Sequence, residues 1–224
     1  MNKNTKLVVL DVDDTLYLER DYVQSGFSAV GRWVEGQFGT GGFGEATWSL
    51  FEAGVRGDTF NRAASKIGLT LSDEDVRQLV AVYREHTPNI SLLSDAHDYI
   101  LACHKANLHL AVITDGPEES QAAKVSALGL ARWCEPLILT ARLGMGKGKP
   151  HPGSFELAAA TVDAAPEQCL YIADNPYKDF VAPMALGWQS IRMIRTGGLH
   201  ADAPTPKGVT RVVSSFDEIW RPSS

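Results

Sequence analysis

Leu7-Val8-Val9-Leu10 runs straight into Asp11-Val12-Asp13-Asp14-Thr15. The same pattern returns twice: Leu110-Ala111-Val112-Ile113 ends in Thr114-Asp115-Gly116, and Leu170-Tyr171-Ile172-Ala173 ends in Asp174-Asn175-Pro176-Tyr177-Lys178-Asp179. Short apolar runs without polar alternation mark parallel strands covered on both faces. Open α/β sheets bind ligands at the carboxyl ends of such strands, and here every end carries carboxylates. The spacing therefore predicts an α/β fold with its chemistry on three strand ends.

Outward from the first run, the period changes. Val23, Phe27, Val30, Val34 and Phe38 recur at helical spacing until Gly39-Thr40-Gly41-Gly42-Phe43-Gly44 stops them. Three more helices are predicted around Ala46 and Leu50, around Phe60 to Ile67, and around Val76 to Tyr83. Ser72 is the expected N-cap of the last, with Asp75 three residues on. Residues 16–90 thus read as an all-helical insert between 1–15 and 91–224. From Ala96 the rhythm is βαβ, with a helix from Glu118 to Leu128 closed by Gly129 and strands at Leu137–Thr140, Ser190–Ile194 and Arg211–Val213. Further helices are expected at Ser154–Val162 and Asp179–Leu186, and a surface loop at Gly197–Gly208.

A net charge of −6 without clustered Lys and Arg speaks against nucleic-acid binding. The Met1–Lys6 start is too short and polar for a signal peptide, and no run reaches the length of a membrane span, so a cytoplasmic chain, monomer or homodimer, is expected. Cys103, Cys134 and Cys169 are odd in number and widely spaced, which suits reduced packing residues better than a disulfide framework or a zinc site.

Asp11 and Asp13, two apart at a strand end, place two carboxylates within reach of one substrate. One can attack phosphorus to form an aspartyl-phosphate while the other moves protons. Clustered carboxylates repel and need a cation, and an all-oxygen set completed by Asp174 suits Mg²⁺. Phosphate-monoester hydrolysis requires up to about 10²¹-fold acceleration, whereas acid–base help gives about 10²- to 10⁴-fold. Most of the barrier must fall to positioning and charge. Mg²⁺, Lys149, the Thr114 hydroxyl and the backbone N–H groups of Asp115 and Gly116 are the candidates to supply it.

Asp11-Val12-Asp13-Asp14-Thr15-Leu16, Thr114-Asp115-Gly116, Gly148-Lys149-Pro150 and Asp174 with Asp179 resemble, in order, the four motifs of the haloacid dehalogenase superfamily. The insert resembles that family's small helical cap. The resemblance implies a Rossmann-like core with helices on both faces and an inserted all-α cap, and a Mg²⁺-dependent phosphatase acting on a small phosphorylated metabolite such as a sugar phosphate or nucleoside monophosphate. It casts Asp11 as nucleophile and Asp13 as acid/base whose carbonyl also binds the metal. Asp174 becomes a direct ligand, Asp179 a ligand or the partner of one, and Lys149 the neutralising cation. Asp115 stands where many relatives carry Asn, and an extra anion there is unfavourable unless it turns away or finds a cation.

Plainer readings compete. Asp179 stands where a helix is expected to begin and would serve equally as its cap. The Gly39–Gly44 stretch follows a helix, not a strand, so it lacks the context of a dinucleotide loop; the Gly144–Lys149 stretch fails the Walker A spacing. Arg56 and Arg62 of the insert can meet an anionic substrate or simply face water, and His151 lies beside Lys149. A phosphomutase shares the motifs. A C–halogen hydrolase has no need of Asp13, a phosphonate-cleaving enzyme would need Lys66 as a Schiff base, and a catalytically silent binding module would have no use for the intact set.

Overall fold

The computed structural model describes residues 4–219; Met1–Lys3, the first half of the polar start, lie outside the described residues. Six strands form one all-parallel sheet: β1 (Leu7–Leu10), β2 (His109–Thr114), β3 (Leu137–Leu139), β4 (Cys169–Ala173), β5 (Gln189–Met193) and β6 (Arg211–Val213). Their order is β3-β2-β1-β4-β5-β6. The chain therefore moves outward one way from β1 through β3 and the other way from β4 through β6. That reversal is a topological switch point, the crevice in which doubly wound sheets bind ligands.

The apolar runs behave as their lack of alternation predicts. All four residues of β1 and all five of β4 are buried. Leu7, Val9, Ala111, Ile113 and Tyr171 pack with Phe155 and Ala158 of helix α7 (Gly153–Thr161), while the alternate Val8, Leu10, Val112 and Ile172 are buried too. The other helices of this unit are α5 (Ser94–Lys105), α6 (Glu118–Ala127) and α8 (Val181–Ala185). Gly129 ends the α6 segment in the left-handed region, φ 63°, as a helix-stopping glycine should. Helix α8 is shorter than the sequence suggests. Phe180, not Asp179, occupies its N-cap, and no side chain caps it.

Among the described residues one compact unit runs to Glu19 and resumes at Ser91; the other is Arg20–Ile90. The second holds nearly all of α1 (Glu19–Phe38), with α2 (Phe43–Glu52), α3 (Thr59–Lys66) and α4 (Asp73–Glu85). Val23, Phe27, Val30 and Val34 of α1 form its core with Phe43, Leu50, Ala63, Ala64 and Leu79. Ser72 and Asp75 make the reciprocal cap expected for α4, an arrangement whose loss costs about 1 kcal/mol. The Gly39–Gly42 stretch joins α1 to α2, with Gly42 at φ 85°. The three cysteines are free and buried. Among the described residues no helix is long and apolar enough to cross a membrane.

Candidate active site

Sheet register gathers the candidate residues. The N–H of Asp11 donates to Ile172 O at 2.9 Å, which extends the β1–β4 ladder by one residue and brings Asp11 beside the β4 exit that carries Asp174. Thr114 closes β2 on the other side of β1. Asp179 returns through a tight turn: its Oδ2 accepts from Asn175 N at 2.9 Å, and its own N–H donates to Asn175 O at 3.2 Å. Each of Asp11, Asp174 and Asp179 offers a carboxylate oxygen, and these lie within 4.8 Å of one another. Asp179 is wholly buried, so its carboxylate belongs to this trio and is no helix cap. The physical reason is a stronger partner, Lys149.

The Lys149 ammonium sits 2.6 Å from Asp11 Oδ1, 2.7 Å from Asp179 Oδ1 and 3.1 Å from the Tyr171 hydroxyl. Burial alone would lower its pKa, but Asp11 and Asp179 outweigh that and hold it well above the ordinary lysine value. One ammonium does not balance three carboxylates. Burial, with repulsion from Asp179 and Asp13 working against the attraction of Lys149, pushes Asp11 up to about 7. Burial and then repulsion from Asp11 and Asp179 push Asp174 up to about 9. Such a set is short of positive charge. Its donors are all carboxylate oxygens, the ligand type of Mg²⁺, and the residues present fit that ion.

Asp13, one residue beyond Val12, is placed differently. Its Oδ1 accepts from Lys124 Nζ at 2.7 Å and from the Tyr17 hydroxyl, and its Oδ2 accepts from Gln121 Nε2 at 3.3 Å. Burial would raise this carboxyl, yet the charge and hydrogen bond of Lys124, with those of Tyr17 and Gln121, hold it below the usual range. Asp14, at φ 49°, accepts from the backbone N–H of Glu19 and Leu199 at 2.9 and 2.7 Å and so fixes the turn. Burial and the nearby Asp13 raise Glu19 to about 8.

At the end of β2 the Thr114 hydroxyl donates to Gln121 Oε1 at 2.6 Å. The Asp115 side chain finds the cation its position demands: Oδ2 meets Lys178 Nζ at 3.0 Å, while Oδ1 accepts from the Thr140 hydroxyl at 2.5 Å and from Lys149 N at 3.2 Å. Asp115 thereby ties together the loops after β2, β3 and β4. Two glycines make room here. A β-carbon on Gly148 would lie 2.5 Å from Asp115 Oδ1, and one on Gly116 would lie 2.7 Å from Gln121 Nε2.

Arg56 and His151 have local partners. Arg56, in the Arg20–Ile90 unit, donates from Nη1 to Phe51 O and Val55 O at 2.8 and 2.9 Å, and its guanidinium lies 4.1 Å above the Phe51 ring. His151 accepts from Gly153 N at 3.0 Å through Nδ1.

Sequence reasoning missed Tyr17, Gln121, Lys124, Thr140, Tyr171, Lys178 and Arg192. Arg192 is buried and ties the β5–β6 loop to the site. Its guanidinium donates to Asp174 O, His200 O, Ala203 O and the Thr205 hydroxyl at 3.2, 2.8, 2.7 and 2.7 Å. A signal for two of them lay along α6 and its C-cap, where Gln121 and Lys124 fall on the same stripe as Val125 and the C-cap Leu128, at i, i+3, i+4 and i+7. Polar residues on an otherwise apolar stripe mark a buried polar contact.

Residues 5–185 match the model of the haloacid dehalogenase-like hydrolase family. Among curated relatives, a phosphoserine phosphatase of Thermus thermophilus is 27% identical over 62% of this chain; the match spans about half of that protein, 54% of its length. A putative hydrolase of the same family from Bacillus subtilis, solved bound to magnesium, superposes with a TM-score of 0.64 at 17% identity, covering 96% of this chain and 97% of its own. L-2-haloacid dehalogenase from Xanthobacter autotrophicus gives 0.61 at 17%, covering 96% of each chain. At such identities the structural likeness speaks for the fold alone.

Proposed function

Because this chain belongs to the haloacid dehalogenase-like hydrolases, we propose that it is a Mg²⁺-dependent phosphatase hydrolysing a small organic phosphate monoester, a sugar phosphate or nucleoside monophosphate, through an aspartyl-phosphate on Asp11. One observation carries this reading: Asp11, Asp174 and Asp179 bring three buried carboxylates together, and the Lys149 ammonium pairs with only two of them. A C–halogen hydrolase with an aspartate nucleophile has no use for so much uncompensated charge. Likeness to the phosphoserine phosphatase supports the same choice.

Mg²⁺ held by Asp11, Asp174, Asp179 and the Asp13 carbonyl would neutralise the cluster and the phosphoryl oxygens it receives. In the first step a carboxylate oxygen of Asp11 attacks phosphorus, the bond to the ester oxygen breaks, and Asp13 delivers a proton to the departing alcohol. Lys124 and Tyr17 favour the Asp13 anion, so that proton arrives with the substrate, whose second phosphate pKa lies near 6. In the second step Asp13 takes a proton from water, the hydroxide oxygen attacks phosphorus, and Asp11 leaves as the free carboxylate. The Thr114 hydroxyl and the N–H groups of Asp115 and Gly116 hold the phosphoryl oxygens, and Lys149 keeps Asp11 aligned and neutralised.

Assaying the protein with a panel of phosphorylated metabolites and Mg²⁺ tests this. Phosphate release that EDTA abolishes, with an acid-quenched phosphoryl group trapped on the Asp11 peptide, is the expected result. Activity indifferent to EDTA, or a label on another residue, would sink it.

A further inference from the structure

Helix α6 buries Ser120, Gln121, Lys124 and Val125. An ammonium taken out of water costs several kcal/mol before its partners offset it, and a methionine of similar length would pack on that stripe without the cost. Stability alone gives no reason for Lys124 there. What it does is pin a carboxylate: Lys124 and Tyr17 hold Asp13 Oδ1, Gln121 holds Oδ2, and the three side chains that do so are all nearly inaccessible to solvent. Rotating the Asp13 carboxyl means breaking three hydrogen bonds at once.

Gln121 also reaches the other side of the site. Its amide donates to Asp13 from Nε2 and accepts the Thr114 proton on Oε1, so each end of one planar group is bound to a different candidate residue. An ionised Asp13 only accepts, which fixes the amide orientation and, through it, the direction of the Thr114 hydroxyl. Gly116 leaves the space that Gln121 fills.

We propose that Gln121 and Lys124, with Tyr17, are positioning residues that lock Asp13 and Thr114 into one hydrogen-bonded unit, so that a single helix aligns the proton donor to the leaving group with the cradle for the phosphoryl oxygens. This rests on Asp13 being the acid/base. Its signature is sensitivity to the leaving group: an alkoxide needs a proton as it departs, whereas p-nitrophenolate leaves as the anion.

The test compares kcat/KM for p-nitrophenyl phosphate and for a simple alkyl phosphate, both with Mg²⁺, in Gln121→Leu, Lys124→Met and Asp13→Asn. Misplacing a general acid forfeits part of its ~10²- to 10⁴-fold contribution, so the two α6 variants should lose about 10- to 100-fold on the alkyl ester and under about 5-fold on the aryl ester. Lys124→Met in the Asp13→Asn background should add little, because the two act as one unit. Lys124→Gln, which keeps a donor without the charge, guards against a Lys124→Met protein that does not fold and should show a smaller loss of the same kind. Equal losses on both esters in the folded Gln121→Leu and Lys124→Gln proteins, or none, would overturn the proposal. If Asp13→Asn itself lacks the leaving-group signature, the acid/base reading has failed instead.

Discussion

Around Asp11 three carboxylates gather and the Lys149 ammonium contacts two of them, Asp11 and Asp179, whereas around Asp13 a single carboxylate is met by an ammonium, a phenol and an amide. The two residues are separated only by Val12 and both are largely buried, yet one pKa moves up to about 7 and the other moves down. The residue type is the same and Asp13 is only modestly more exposed; it is the neighbours that differ. The contrast teaches that one turn can host an anion waiting for a cation and an anion already supplied with one. Environments that separate two titratable groups in this way are how enzymes assign distinct roles to like residues.

Removing the first partner of this contrast should have the largest effect. Asp11→Asn is expected to abolish phosphate release, a loss on the order of 10⁵-fold or more as for other nucleophiles. The same change relieves repulsion on Asp174, so the metal-free variant should melt no lower than the parent, as read by calorimetry.

Asp13→Asn should cost about 10²- to 10⁴-fold in kcat/KM for an alkyl phosphate. An equal loss for every leaving group would mean that the two carboxylates do not divide the labour.

Stability and pH sharpen the contrast next, because the two sites have opposite signs. Asp174 moves from 3.8 to about 9 on folding, so the folded metal-free protein holds a proton there that the unfolded chain has lost. That contribution is fully present below 3.8 and drains away as pH rises through 9. Asp13, held low, contributes stability above 3.8 that is lost as pH falls through its lowered folded value. Thermal melts with and without Mg²⁺ should therefore show a stabilisation larger at pH 9 than at pH 6, since metal binding releases protons. A Mg²⁺ effect that shrinks as pH rises would contradict the charge assignment.

Lys178→Met tests the partly exposed pair with Asp115, where about 1 kcal/mol or less of stability is at stake. A several-fold rise in KM is expected, because the Asp115 anion then faces the incoming phosphate with less compensation. The smallest effect belongs to Arg56→Ala: its contacts lie within its own unit, and loss of its stacking on Phe51 should cost about 0.5 to 1 kcal/mol with KM changed under 3-fold.

Asp11, Asp174 and the sheet around them were legible because their signals are local: an unbroken apolar run, then acid. The four helices of the insert were legible for a similar reason, their periodicity and the Ser72 cap. Asp179 was ambiguous because cap and cluster member share the same sequence context, and only the approach of Lys149 from another loop separates them. Lys124 and Gln121 lie on the stripe of Val125 and Leu128, which marks a buried polar contact, but periodicity names no partner and cannot see that Asp13, 111 residues earlier, lies opposite Lys124. Lys178 and Thr140 are legible only once Asp115 is known to point at both.

Gly148 is small because Asp115 occupies its neighbourhood, not because its backbone demands it. The two positions are therefore bound to change together. In a saturation library, single replacements at 148 should be depleted under selection for activity, and the same replacements paired with Ala or Ser at 115 should be depleted less than the product of the two single losses. Descendants of this sequence would carry that dependence as covariation between two sites far apart in the chain.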